Sequence, residues 1–332
     1  MTEIRIHASA PGRCGIVGNP TDMYGGSVIS CSTRERAYCE IEKCDELILQ
    51  NGELIRKIGS AADLEMCDDN VDIARAALRY FKIDPAQHPF KMSLSTEIPM
   101  RAGLAGSTAM LAAIVGALYN YLDMPVNLYE LAETTRRIEA HEMHIVCGLQ
   151  DQHMAVFGGI NFMNFAGKEM LEQRRDEPLA TIEPLADRIA MPPLLLAHTG
   201  VQHHSGTVHK SPRQRWLDGD TAVRESYSKI ANLAVRGKRA IVQGDIELLG
   251  ELMNENHSIV ASLGGSGESN EKLIAAARQG GALGAKLAGA GGGGTIICLH
   301  PDTTYLAGFL MDAGADSVMI PHPSDGIICK YA

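Results

Sequence analysis

Hydrophobic and polar positions along this chain alternate in two rhythms, and the switches between them mark its elements. From Glu3 to Ala10 the period is two, with Ile4 and Ile6 on one face, which predicts a strand feeding the turn Pro11-Gly12. Residues 27–41 and 44–58 read as further strands, the second folded at Asn51-Gly52, a strong two-residue hairpin signal. A short helix is expected from Asn70 to Phe81, capped by Asn70, and a strand from Phe90 to Thr96. No charge occurs between Ala109 and Leu122, so the helix there is expected to be buried all round. The next helix, about 128–145, begins after Asn127, and Glu130 three positions on completes a capping-box pattern. Leu128, Leu131, Ala132, Thr135 and Ile138 form its apolar stripe, and Glu139 and Glu142, three apart, share the face beside it.

Near residue 190 the order restarts. A strand is expected at Pro193–His198, a polar loop at 199–220, and helices at about 221–243, 245–262 and 269–280. A strand pair then flanks the glycine-rich segment Gly284–Gly294, the second strand holding Thr295–Leu299. With 332 residues and this restart, two domains are expected, 1–188 and 189–332.

Composition narrows the class. A chain with 45% hydrophobic and 21% charged residues is globular. Its net charge of −10 leaves no domain-wide basic surface, which excludes general nucleic-acid binding. No cationic leader with a following apolar stretch opens the chain, and its apolar runs are too short and glycine-broken to span a bilayer. A cytoplasmic location with no membrane partner is expected. The eight cysteines form no CxxC pair and are expected to be reduced and buried. His141-Glu-Met-His144 sits on a predicted helix, but its histidines are three apart where a zinc protease needs four.

Chemistry concentrates in a few loops. Pro99-Met-Arg-Ala-Gly-Leu-Ala-Gly-Ser-Thr-Ala109 is a glycine-rich loop ending on two hydroxyls at the mouth of an apolar helix. Such a loop lets backbone amides approach an anion at the positive end of the helix. Taken alone it also suits a tight turn before a core helix. Pro11-Gly-Arg13 places a cation at a strand end, and Gly18-Asn-Pro-Thr-Asp22 is a polar loop able to hydrogen-bond hydroxyls. In Gly148-Leu-Gln-Asp-Gln152 an acid stands at an element boundary. Beside Arg13 it would stay ionised and serve as a base or as a positioner of a hydroxyl; alone it would only hold backbone amides. The run Gly291–Gly294 by itself suits a flexible turn as well as a ligand loop.

Taken together these segments resemble the three motifs of the GHMP kinase superfamily, in the family's order: Pro11–Asp22, Pro99–Ala109 and Lys286–Gly294. The resemblance reaches from one end of the chain nearly to the other. It implies an α+β, two-domain fold, with a ribosomal S5-like N-terminal domain holding ATP and a ferredoxin-like C-terminal domain closing the cleft. Within the superfamily, Gly18–Asp22, Gly148–Asp151 and Arg213–Asp220 look like glucuronokinase and related sugar 1-kinases. Galactokinases carry Gly-Glu-His-Thr-Asp where this chain has Gly-Asn-Pro-Thr-Asp, and the phosphate loop here has one residue between Leu104 and Gly106 that many members lack.

The resemblance also implies roles. ATP phosphates would lie on Pro99, Arg101, Ala102, Gly103, Leu104, Ala105, Gly106, Ser107 and Thr108, with Mg2+ held by Thr108 and by Glu139 or Glu142. Asp151 and Arg13 would be catalytic, the first as base or hydroxyl positioner, the second holding it ionised and steadying the transferred phosphoryl group. Asn19, Asp22, Gly291 and Gly292 would meet the substrate. A uronic acid carboxylate wants a bidentate partner, for which Arg101, Arg213 and Arg215 have the right chemistry. His203, His204, His209 and Lys210 equally suit a sugar phosphate, so a heptose 7-phosphate kinase is the alternative. A mevalonate-type kinase, a related decarboxylase and a non-catalytic sugar or nucleotide sensor are further readings, and the expected assembly is a monomer or homodimer.

Overall fold

The computed structural model describes residues 5–99, 102–168, 177–185, 189–201, 211–289 and 294–331. Two long strands, β1 (Arg5–Val17) and β2 (Ser27–Lys43), pair antiparallel and form the spine. β3 (Leu47–Asn51) and β4 (Leu54–Ile58) make the hairpin, with Gly52 at φ 58° supplying the left-handed turn position. Next come α1 (Asp72–Tyr80), β5 (Phe90–Thr96), α2 (Gly106–Tyr121), α3 (Leu128–Arg137) and α4 (Gln150–Phe157). β6 (Ile160–Asn164) and β7 (Thr181–Pro184) follow, then β8 (Leu194–His198). The remaining helices are α5 (Pro212–Leu217), α6 (Thr221–Gln243), α7 (Ile246–Ser262) and α8 (Glu268–Gln279). The chain closes with β9 (Gly284–Leu287), β10 (Thr295–Leu299), α9 (Thr303–Asp312), β11 (Ser317–Met319) and β12 (Ile328–Tyr331).

The first sheet runs β12-β1-β2-β5-β3-β4, with β6 pairing the start of β2 and β7 pairing β6. Uncharged α2 packs across β1 and β2, and its residues from Thr108 to Tyr119 are all buried, as the sequence predicts. The second sheet runs β11-β8-β10-β9, wholly antiparallel. Its strands divide by period two. Leu195, Ala197, Ile296 and Cys298 join a core with α8 and α9, whereas Leu194, Leu196, Ile297 and Leu299 join the main core with residues of α7. β12 returns to the first sheet and pairs with β1 from Ile6 to Ser9, so the end of the chain completes the sheet that its beginning starts.

Local departures from the sequence reading have physical causes. α1 begins after Val71 and is not capped by Asn70: the Asp72 carboxylate takes the amides of Cys67, Asp68 and Asp69, and this knot sets the start. The predicted 128–145 helix stops being α-helical at Arg137 and continues as a π turn, Ile138–Glu142. Asn127 Oδ1 accepts from Tyr129 and Glu130 as expected, but the Glu130 side chain reaches Arg137 at 2.6 Å, a charge-assisted bond that outcompetes the return to the cap. The buried stripe starts at Leu131, because Leu128 is 39% exposed. All eight cysteines are free thiols, but only Cys14, Cys31, Cys39 and Cys298 are buried; Cys44, Cys147 and Cys329 are half-buried and Cys67 is exposed. Among the described residues no helix is long and apolar enough to cross a membrane, and no group of three or more His, Cys, Asp or Glu gathers as a metal site.

Candidate active site

The loop before α2 is shaped around its backbone. Ala102 and Leu104 are buried while Gly103 and Ser107 are exposed, so apolar anchors hold the loop and leave its glycine and hydroxyl outside. Gly103 at φ 74° and Ala105 at φ 59° both take the left-handed conformation, and Ala105, at the N-cap, gives the first turn no side-chain acceptor. The amides of Gly106 and Ser107 therefore open α2 without a capping oxygen, as an anion site requires. Pro99 accepts from the Ala102 amide at 3.4 Å. Thr295 Oγ1 donates to the Ala102 carbonyl at 2.5 Å, which ties β10 to the loop. Arg101 lies outside the described residues.

Arg13 joins this loop to the acid. Its Nε and Nη2 donate to Asp151 Oδ1 and Oδ2 at 2.7 and 2.8 Å, and Nη1 donates to the Gly103 carbonyl at 2.7 Å. The Arg13 amide adds a bond to the Leu104 carbonyl at 2.9 Å. Burial opposes the guanidinium charge, but the Asp151 carboxylate more than compensates and leaves Arg13 above its ordinary value. Asp151 stands in the first turn of α4 and keeps a quarter of its side chain exposed, whereas Arg13 is nearly covered.

Asp22 sets the start of α4. Its Oδ2 accepts from the amides of Leu149 and Gln150 at 2.7 and 3.0 Å, so this buried carboxylate spends one oxygen on the helix that carries Asp151. Burial raises Asp22 and those amides oppose the rise. Oδ1 has no protein partner among the described residues. A side chain at Gly148 would drive its Cβ to 2.0 Å from Asp22 Oδ2, so only glycine admits this contact.

The π turn separates the two candidate metal carboxylates. Glu139 points inward, where Thr108 Oγ1 donates to its Oε1 at 2.6 Å and Gln152 Nε2 donates to its Oε2. Glu142 instead pairs with Arg79 at 3.1 Å. Burial raises Glu139 to about 7, the Thr108 and Gln152 bonds oppose the rise, and the charge of Asp151 adds to it. Glu139 has no cation beside it among the described residues. A hydroxyl and a buried, uncompensated carboxylate beside the loop before α2 are hard oxygen donors, and they fit a small divalent cation.

The loop Gly18–Asp22 is stitched to the C-terminal part of the chain. Asn19 Oδ1 accepts from Lys286 Nζ at 2.6 Å, its Nδ2 donates to the Gly289 carbonyl at 3.1 Å, and Asn256 Nδ2 donates to its backbone oxygen at 3.1 Å. Asn19 thus works as a brace between loops. Arg215 is bound to Asp220 at 2.9 Å, and Arg213 lies on α5, whose Trp216 ring is 5.1 Å from that of Tyr24. Gly291, Gly292, His203, His204, His209 and Lys210 lie outside the described residues.

The family models for the GHMP kinases N terminal domain and the GHMP kinases C terminal match residues 71–159 and 238–307. Probable glucuronokinase 2 of Arabidopsis thaliana is 30% identical over 86% of this chain and 82% of that protein. The chain belongs to the GHMP kinase family. The D-glycero-alpha-D-manno-heptose 7-phosphate kinase of Campylobacter jejuni is 25% identical to this GHMP kinase, over 88% of each chain. Among solved structures, the Lactococcus lactis galactokinase complexed with galactose superposes with a TM-score of 0.76 at 18% identity, covering 98% of this chain and 95% of that one. The D-glycero-D-manno-heptose 1-phosphate kinase from Bacteriodes thetaiotaomicron gives 0.73 at 21% identity and 98% of both chains. These structural likenesses establish the two-domain GHMP kinase fold.

Within this GHMP kinase the structure brings together Arg13, Asp22, Gly103, Leu104, Thr108, Glu139 and Asp151, and it leaves Glu142 and Arg215 in other pairings. Four participants escaped the sequence reading. Gln152 and Thr295 each adjoin a recognised segment, and adjacency was their only signal. Asn256 interrupts the apolar stripe Leu249, Leu252, Met253 and Val260 of α7, a polar residue where the pattern calls for a core one. Lys286 stood in a quoted motif without a role, and it proves to be 1% exposed.

Proposed function

We propose that this protein transfers the γ-phosphoryl group of ATP to the anomeric C1 hydroxyl of a monosaccharide, with a uronic acid such as glucuronate as acceptor. The observation that carries the reading is the two-pronged Arg13–Asp151 pair, bonded through Arg13 Nη1 to the phosphate loop. Arg13 fixes the plane of the carboxylate through its two bonds to Oδ1 and Oδ2. Asp151 takes the proton of the attacking hydroxyl as its oxygen bonds to phosphorus and the bond from phosphorus to the bridging oxygen of ADP breaks. The α2 amides and Gly103 cradle the phosphates, and Asp22, through α4, keeps Asp151 in place. Thr108 and Glu139 are the residues that would hold Mg2+, which when bound offsets phosphate charge.

Glucuronokinase relatives near 30% identity support the uronic acid, and the heptose 7-phosphate kinase relative supports a sugar phosphate as the second reading. The position of transfer is tested by 31P NMR of the product. An anomeric phosphate, released by mild acid and coupled to H1, is expected. A phosphate on any other carbon would overturn the C1 assignment while leaving the kinase reading in place.

A further inference from the structure

Asn19 is held by its backbone first. Asn256 of α7 accepts from the Gly18 amide at 2.8 Å through Oδ1, and its Nδ2 donates to the Asn19 carbonyl at 3.1 Å. The main chain on either side of the Asn19 side chain is therefore fixed, and what is left to settle is which end of its buried amide faces which neighbour. On one side stands Lys286 Nζ and on the other the Gly289 carbonyl. An ammonium donates and never accepts, so it draws the amide oxygen, at 2.6 Å, and the NH2 group is thereby turned to Gly289, at 3.1 Å. The other N–H groups of Lys286 go to the Leu287 and Gly15 carbonyls, so three donors meet three oxygens. Two donors remain when the ammonium loses a proton, enough for the two bonds at 2.6 Å, and only the long one to Gly15, at 3.4 Å, is released. Asn19 thus stays oriented in either charge state. Gly15 makes the room: a Cβ there would stand 2.7 Å from Asn19 Oδ1.

Gly289 in turn lies against the group that holds the acid. A Cβ on it would stand 3.0 Å from the Gly103 carbonyl and 3.8 Å from Arg13 Nη1, and that carbonyl is the one to which Arg13 Nη1 donates. The rest of the Arg13 fork grips Asp151. Next to Gly289, the Ala288 carbonyl accepts from the Gly15 amide at 2.8 Å, so the end of β9 is seated on β1 beside Arg13. Contacts therefore run without a gap from Lys286 through Asn19 and Gly289 to the Gly103–Arg13 bond and Asp151. Burying a lysine with no carboxylate partner among the described residues costs stability, and a methionine would fill the same space without that cost. What the lysine adds is the direction of the Asn19 amide.

We propose that Lys286 is a positioning residue for phosphoryl transfer: by orienting the Asn19 amide it holds Gly289 against the Gly103 carbonyl and so sets the Arg13–Asp151 pair. This rests on the sugar kinase reading above. The test measures kcat, KM and the urea unfolding midpoint, with Mg-ATP and whichever of glucuronate or a heptose 7-phosphate the wild type turns over. The variants are Lys286→Met, Asn19→Ala, the two combined, and Asn19→Asp, which keeps an acceptor for Lys286 but removes the donor to Gly289. Asn19→Asp is expected to lose about 10- to 100-fold in kcat, with KM for the acceptor within about three-fold of the wild type and a urea midpoint no lower. Lys286→Met and Asn19→Ala are each expected to lower kcat about 10-fold, and the double variant to fall no more than about two-fold below the lower single, because both act through one contact. Losses that multiply in the double variant, a kcat in Asn19→Asp within two-fold of the wild type, or a kcat that falls only in step with the urea midpoint would each overturn the assignment while sparing the kinase reading. A wild type that forms ADP with neither acceptor nor any other would overturn the kinase reading itself, before any variant is compared.

Discussion

Lys286 is a lysine with no carboxylate partner among the described residues. Its ammonium is wrapped by the carbonyls of Leu287 and Gly15 at 2.6 and 3.4 Å and by Asn19 Oδ1 at 2.6 Å. Burial lowers it from 10.5 to about 7; Cys14 works against that fall and the positive charge of Arg13 adds to it. Below pH 7 both folded and unfolded chains hold the proton, and the burial penalty is present in full. Between about 7 and 10.5 only the unfolded chain holds it, so stability rises with pH, by at most about 1.4 kcal/mol per unit. The unfolding free energy of the wild type minus that of Lys286→Met is expected to climb between pH 7 and 9.5 in urea titrations. A flat difference would show that the lysine titrates normally. Sequence placed Lys286 in a glycine motif, but its loss of charge depends on strands far apart in the chain converging on it. The same holds for Glu139 and Glu142: the resemblance favours Glu139 but spacing leaves Glu142 open, and only the π turn shows that they face different partners.

At the scale of elements, the pattern was most legible where burial is uniform or strictly periodic. Phe90–Thr96 and the helix at 221–243 fall where the alternation and the 3.6-residue period put them. What the period could not reveal was the π turn, which follows a helix of unbroken stripe and shows only when Thr108 and Gln152 claim Glu139. Nor could it show that Asp22, 127 residues from Leu149, supplies the acceptor for the α4 amides. Gly148→Ala tests that join. With a Cβ aimed at Asp22 Oδ2, either Asp22 or α4 must shift, and the cap is lost. The expected result is a fall in kcat of about 100-fold from displacement of Asp151, with a stability loss of about 1–3 kcal/mol in urea unfolding. A variant with unchanged kcat would separate Asp22 from the placing of Asp151.

Across the whole molecule, α5 falls inside the stretch expected as a polar loop at 199–220, and α4, β6, β7, α9 and β11 were not expected at all, whereas the restart near 190 was readable. The return of β12 to β1 was not, since Ile328-Cys-Lys-Tyr331 is half-exposed and carries too little alternation to name a partner. The site itself is assembled from β1, the loop before α2, the π turn, the start of α4 and the end of β9, and long-range pairing alone makes it one place. The role proposed for the Arg13–Asp151 pair is to ready a sugar hydroxyl for phosphoryl transfer. The most direct measurement is ADP release from Mg-ATP with glucuronate, galacturonate, galactose, a heptose 7-phosphate and mevalonate, for the wild type and Asp151→Asn side by side. Sugar-dependent ADP release with a uronic acid is expected, with kcat lowered about 10²- to 10⁴-fold in Asp151→Asn and little change in KM for ATP. Sugar-dependent release that survives in Asp151→Asn within a few-fold of the wild type would contradict it.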